Sequence, residues 1–150
     1  MSTARLGVFA LLLAASFVGC HKAPARMTAD VERLQGYWEG SGPAGECSVT
    51  ISGNSLIFRQ MPDFWYETIF TIPIDADLQQ LHATIIKDST QQPRDIGRVV
   101  VAIYKFEDGT LKFGLIDDFD EPLAEPVTDD WDQASDIFEF KRAQLQEPKP

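Results

Sequence analysis

Residues from Trp38 onward alternate between apolar and polar in short runs broken by turn formers, the period-two pattern of strands buried on one side. Residues 47–51 form the first clear run, and Trp38 opens an earlier one. Ser52-Gly53-Asn54 turns the chain, and 56–60 return. Met61-Pro62-Asp63 turns it again into 64–72, rich in aromatic and β-branched side chains. Within 64–72, Tyr66, Thr68, Phe70 and Ile72 share one face and Trp65, Glu67, Ile69 and Thr71 the other, and either could be the interior. Residues 81–87 place Leu81, Ala83 and Ile85 on one face and His82, Thr84 and Ile86 on the other. Residues 88–95 are polar and contain Pro93, which marks a loop. Residues 99–106 are the most strand-like stretch, and Asp108-Gly109 joins them to 111–116. Asp-Gly between two alternating runs is a strong hairpin signal, because both central residues of the favoured turn have positive φ. Residues 117–135 read as a long acidic loop, 137–142 as the closing strand and 144–150 as a tail. Helical character is confined to 28–35. There Thr28 or Asp30 can cap the first turn, Val31 and Leu34 share a face, and Gly36 ends the helix.

About seven or eight strands with hairpin punctuation and one short N-terminal helix predict an all-β protein, an antiparallel sandwich or up-and-down barrel. No internal repeat is visible. The domain spans residues 31–143, and a chain of about 115 residues is enough for one core.

The first residues follow another pattern. Arg5 is the only charge before His21, and residues 6–18 are apolar but shorter than the roughly 20 residues that span a bilayer. A short positive segment, a short apolar block and small residues before a break predict a signal peptide over 1–19. Phe17-Val18-Gly19-Cys20 resembles the lipobox of bacterial lipoproteins, with Phe17 where that motif prefers Leu. The resemblance implies cleavage before Cys20, diacylation of its sulfur and acylation of the new amine. An ordinary secretory signal cleaved nearby is the alternative. Each buried methylene contributes about 0.8 kcal/mol, so several acyl chains hold a small domain firmly at a membrane. Residues 20–30, with Pro24 and small polar residues, read as a tether. Under the sorting rule of enteric bacteria, His21 rather than Asp at the second mature position implies the outer membrane. The expected location is thus the bacterial cell envelope, facing periplasm or surface.

Charge narrows the partners. The chain carries 13 basic and 23 acidic residues. Loss of Arg5 with the leader takes the mature charge to about −11, which argues against binding nucleic acid through phosphates. Such a surface suits a solvated domain or a basic protein partner. With Cys20 lipidated, Cys47 is alone in an oxidising compartment. Burial as a small hydrophobe, an intermolecular disulfide and a reactive thiol remain open. Without lipidation, a Cys20–Cys47 bridge is the further option.

Four groups of residues further along the chain resemble one family. Leu34-Gln35-Gly36-Tyr37-Trp38 opens the domain, Ile51-Ser52-Gly53-Asn54 marks an early turn, residues 102–113 span the hairpin, and Phe138-Glu139-Phe140-Lys141-Arg142 closes it. Together they resemble the uncharacterised lipocalin-like domain of planctomycetes and related bacteria, over residues 31–142. The long acidic insert before the last strand and Tyr37-Trp38-Glu39-Gly40 depart from that family's pattern. Gly36-x-Trp38 is also similar to the first lipocalin motif. That resemblance implies a Trp plugging one end of a barrel with a basic side chain of the last strand, Arg142 or Lys141, stacked on it. A guanidinium over an indole contributes about 0.5–2 kcal/mol.

Catalytic chemistry has little to build on. His82 is the only histidine besides His21, and its strand position predicts that it faces solvent. Cys47 and His82 lack the number and spacing of a zinc site. No phosphate-binding glycine loop or nucleophile elbow is present, and no cofactor is expected. The acidic run from Asp117 to Asp136 has no EF-hand spacing. It reads as a solvated loop, with weak calcium binding or docking of a basic protein as alternatives. The aromatic residues are numerous for so small a domain. They either fill the barrel or line a space for one small apolar ligand such as a lipid or fatty acid. Phe64, Trp65 and Tyr66, just after a turn, together with Trp131 from the acidic loop, are the candidate pocket mouth. The function expected is a non-enzymatic envelope lipoprotein that binds a small apolar ligand. An acidic interaction or inhibitor module for a basic partner is the alternative.

Overall fold

The computed structural model describes residues 25–60, 63–73, 79–90, 94–123 and 126–144, with side chains from Ala29 onward. The signal peptide, Cys20, the first residues of the tether and residues 145–150 of the tail lie outside them. Helix α1 (Ala25–Leu34) leads into eight strands: β1 (Gly36–Gly42), β2 (Gly45–Ser52), β3 (Ser55–Gln60), β4 (Phe64–Thr71), β5 (Gln80–Asp88), β6 (Val99–Glu107), β7 (Thr110–Phe119) and β8 (Asp136–Ala143). Each strand pairs antiparallel with the next, and β8 pairs with β1, so the sheet closes into a barrel. The protein is an all-β, lipocalin-like, up-and-down barrel of eight strands with one short helix. The helix begins at Ala25, earlier than the Thr28 or Asp30 start expected from capping. Strand β7 also continues to Phe119, three residues into the stretch expected to be loop.

The turns follow from local chemistry. Between β6 and β7, Asp108 and Gly109 both adopt positive φ, 50° and 77°, and Glu107 pairs with Thr110 across them. That turn twists in the sense of the flanking strands. Alternation then sorts the side chains. Trp38, Val49, Leu56, Phe70, Leu81, Ala83, Tyr104, Leu111, Phe113 and Phe140 point inward and are buried. Tyr66, Thr68 and Phe70 share the inner face of β4, because each pairs across the sheet with another inward residue, as Phe58 does with Tyr66. Bulges between Glu67 and Thr68 and between Val101 and Ala102 shift the register there. Extra residues of this kind bend strands, as closing a barrel requires. The seam between β1 and β8 is tight. A Cβ at Gly40 would collide with the Glu139 carbonyl, and one at Gly42 with the Phe138 ring.

One end of the barrel is sealed by α1. Leu34 is fully buried, and its carbonyl accepts the Trp38 indole N–H at 2.8 Å. The Arg142 guanidinium lies 4.3 Å from the centre of the Trp38 ring. Its two terminal nitrogens donate to the carbonyls of Gln35 (2.6 Å) and Arg33 (2.8 Å), near the helix C-terminus. A cation there meets both the unpaired carbonyls and the negative end of the helix dipole. Gln35 holds the neighbouring β2–β3 turn through both of its amide atoms, to the Gly53 N–H and carbonyl. Inside, the Tyr104 hydroxyl donates to the buried Asp30 at 3.2 Å. Arg33 lies over Phe106, 4.0 Å from its centre.

Arg142 therefore joins the last strand, the first strand and the helix. Arg142→Ala should lower stability by about 2 kcal/mol from the lost stacking and charged hydrogen bonds. Arg142→Lys should restore less than half, because an ammonium cannot span two carbonyls while stacking. Urea midpoints at unchanged slope measure this. Equal midpoints for wild type and Arg142→Ala would refute it.

Candidate functional site

The other end of the barrel leaves room inside. A cavity of about 290 Å³ runs up the axis from Leu56, Leu81 and Phe140 to Gln60, Phe64, Tyr66 and Asp136. The last four belong to the strand ends farthest from α1, so the space opens away from the plug. It approaches the lower end of the roughly 300–1,000 Å³ typical of small-molecule sites. It is about twice the ~150 Å³ apolar cavity that takes up benzene in an engineered protein. Small residues create it: Ala83 and Ala102 lie diagonally across β5 and β6, opposite Val100 and Leu81, where larger side chains would fill the axis. The aromatic residues form its wall. Phe58 and Phe138 meet edge to face at 5.4 Å, and Phe64 and Tyr66 at 4.9 Å. Deep in the cavity, Thr68 spends its hydroxyl on the Leu56 carbonyl at 3.0 Å, which leaves that depth apolar in character.

Of the expected mouth residues, the structure brings together Phe64 and Tyr66 and separates the other two. Trp65 follows Phe64 on the strand and so points outward, with Arg59 5.9 Å from its ring centre. Trp131 is also outside. It starts a 3₁₀ turn (Trp131–Gln133) that packs on the outer face of β7 at Gly114, beside Ile103 and Ala134. Lys105 stands 4.8 Å from its ring centre. Both corrections have a simple cause: alternation puts neighbours on opposite faces, and the long segment after β7 folds back along the outside of the barrel.

That segment also changes the place of His82. Expected in solvent, it is only 5% exposed. Gln80 beside it is fully buried, its amide donating to the Thr128 carbonyl and accepting from the Val127 N–H. His82 Nε2 lies 2.9 Å from the Gln80 side-chain oxygen. Val99, Val101 and Ile103 on the outer face of β6 are buried as well. The acidic run is thus partly structural. Asp130 caps the 3₁₀ turn, and Asp118 and Asp120 engage Arg98, which also meets Asp95. Among the described residues, no cluster of three or more His, Cys, Asp and Glu side chains could hold a metal ion.

At the mouth, the Tyr66 hydroxyl donates to Asp95 at 3.0 Å. Burial, with that hydrogen bond and the nearby negative charge, pushes its pKa up to about 12. Cys47 is a free thiol, 7% exposed, inside the barrel opposite Gly40 and Gln60. Burial pushes its pKa up to about 11. The signal that pointed toward the cavity was the pair of alanines at inward positions of neighbouring strands. The residues that sequence reasoning missed are Gln60 and Asp136, which begin or end strands and carry no motif.

The fold and the cavity define a class: a small closed β-barrel, plugged at one end and open to an apolar interior at the other. Comparison of the chain with family models, with curated proteins and with solved structures finds no match.

Two predictions follow from the titrating groups. A neutral thiol is a poor nucleophile. Folded protein at pH 8 should therefore react with a disulfide reagent at least about a hundredfold more slowly than unfolded protein. Similar rates in both states would place Cys47 at the surface. Burial also lowers the pKa of His82. The unfolded chain then binds a proton that the folded one resists, so stability is lost as pH falls below about 6.5. His82→Gln should flatten that acid slope in urea midpoints measured between about pH 5 and pH 7. An unaltered slope would assign the acid sensitivity to other groups.

Proposed function

We propose that the chain is a membrane-anchored envelope lipoprotein whose non-enzymatic, lipocalin-like domain binds a small apolar ligand. The observation that carries this is the cavity: about 290 Å³ of apolar space, closed below by α1 and the Trp38–Arg142 stack and open above at Phe64 and Tyr66. Concave apolar space with a few polar groups at its rim is the usual form of a small-molecule site. Membership in the lipocalin-like family of planctomycete-type bacteria and attachment through Cys20 complete the proposal. The motifs given above for each support them. The buried thiol of Cys47 and the buried, hydrogen-bonded His82 favour binding over catalysis, because neither is presented to a substrate.

Native mass spectrometry of full-length protein purified from its source should show an extra mass of a small apolar molecule. Ala102→Leu, which fills the cavity, should remove that mass while the far-UV circular dichroism stays unchanged. A bare protein mass, together with no uptake of a neutral naphthylamine probe, would count against a ligand.

A further inference from the structure

The charge around the cavity says what kind of ligand head it accepts. Among the described residues that line the space there is no Lys, Arg or His. The one ionisable carboxyl there is Asp136, which opens β8 and pairs with the cavity-lining Leu115 of β7. Its companions at the open end are the Gln60 amide and the Tyr66 hydroxyl, whose hydrogen is directed to Asp95. An incoming group therefore meets the negative charge of Asp136, with the Gln60 amide able to donate or accept beside it.

The cations near this end have partners of their own. Arg98, the cation linked to the Tyr66–Asp95 pair, is shared among Asp95, Asp118 and Asp120, and its Nε is buried without a hydrogen-bond partner among the described residues. Arg59 points to the outer face, over Trp65. Near Tyr66, the Asp88 Oδ2 is buried without a hydrogen-bond partner among the described residues, which adds negative potential at the same end. A fatty-acid carboxylate placed here would lose hydration and face the like charge of Asp136, with no cation among the described lining residues. An ammonium in the same place would gain Asp136 and the Gln60 carbonyl as acceptors, with its chain in the apolar depth.

We propose, building on the ligand-binding function above, that the cavity selects a single-chain amphiphile with an amine head and discriminates against fatty-acid anions. Asp136 is the residue that sets this preference. The amphiphile's chain lies along Phe58, Ala83, Ala102 and Phe138, and its head sits at the rim.

The test uses full-length protein purified without detergent, loaded with the neutral probe N-phenyl-1-naphthylamine. Decylamine, decanol and decanoate, each below its micelle concentration, then compete for the probe at pH 7.5. Decylamine should displace it at a concentration on the order of tenfold lower than decanol, and decanoate should be the weakest. Asp136→Asn should bring decylamine level with decanol measured on the same variant, and added salt should narrow the gap in the wild type. Decanoate displacing as well as decylamine, or an amine preference that survives Asp136→Asn, overturns the head-group assignment while leaving the apolar site intact. Failure of the probe and all three competitors to bind overturns the ligand-binding function itself.

Discussion

One contact ties the closed barrel to its plug, the Arg142 guanidinium over the Trp38 indole. Eight strands can remain an open sheet with two exposed edges unless the first and last are held together. Here the residues that close the seam are direct partners, Trp38 opposite Arg142. The same guanidinium reaches the helix carbonyls, and the same indole donates to Leu34. Closure of the sheet and docking of the plug are thus one event. The glycines at 40 and 42 let the two strands approach closely enough for it.

Sealing one end determines what the other end can do. The buried polar pair Asp30 and Tyr104 sits on the plugged side, where it orders the helix. The axial space is left to apolar walls and small residues. Thr68 is satisfied by backbone and therefore does not define a polar subsite in the depth. The other polar groups that line the space, Gln60, Tyr66 and Asp136, stand at its rim. The barrel divides its chemistry by height: stability below, apolar volume in the middle, charge at the mouth.

The segment between β7 and β8 gives the protein a second, external layer. Through Gln80 it is hydrogen-bonded to the outer face of β5, and through Trp131 and Ala134 it packs on β7. Outer-face residues such as Ile103 and Val101 are apolar for this reason. An isolated barrel with one solvated face would carry polar residues there. The segment's acidic side chains keep its solvent side hydrated, while Asp130 also caps a turn and Asp120 meets Arg98.

Strand alternation, the Asp108-Gly109 hairpin, the all-β class and Trp38 with Arg142 as candidates for closure were legible along the chain. Each is encoded in neighbours along the chain or in a recurring motif, and the period of two in side-chain direction is a local property of an extended backbone. Only the tertiary structure decided that His82 is covered, that Trp65 and Trp131 lie outside, and that Asp136 reaches the cavity. Burial of an outward strand residue depends on which distant segment folds over it. For the β7–β8 segment that placement rests on hydrogen bonds between Gln80 and residues nearly fifty positions away. Whether the inward aromatics fill the barrel or line a space rests on the same long-range placement. The space lies where the small Ala83 and Ala102 sit diagonally across β5 and β6, and which side chains meet there depends on the strand register.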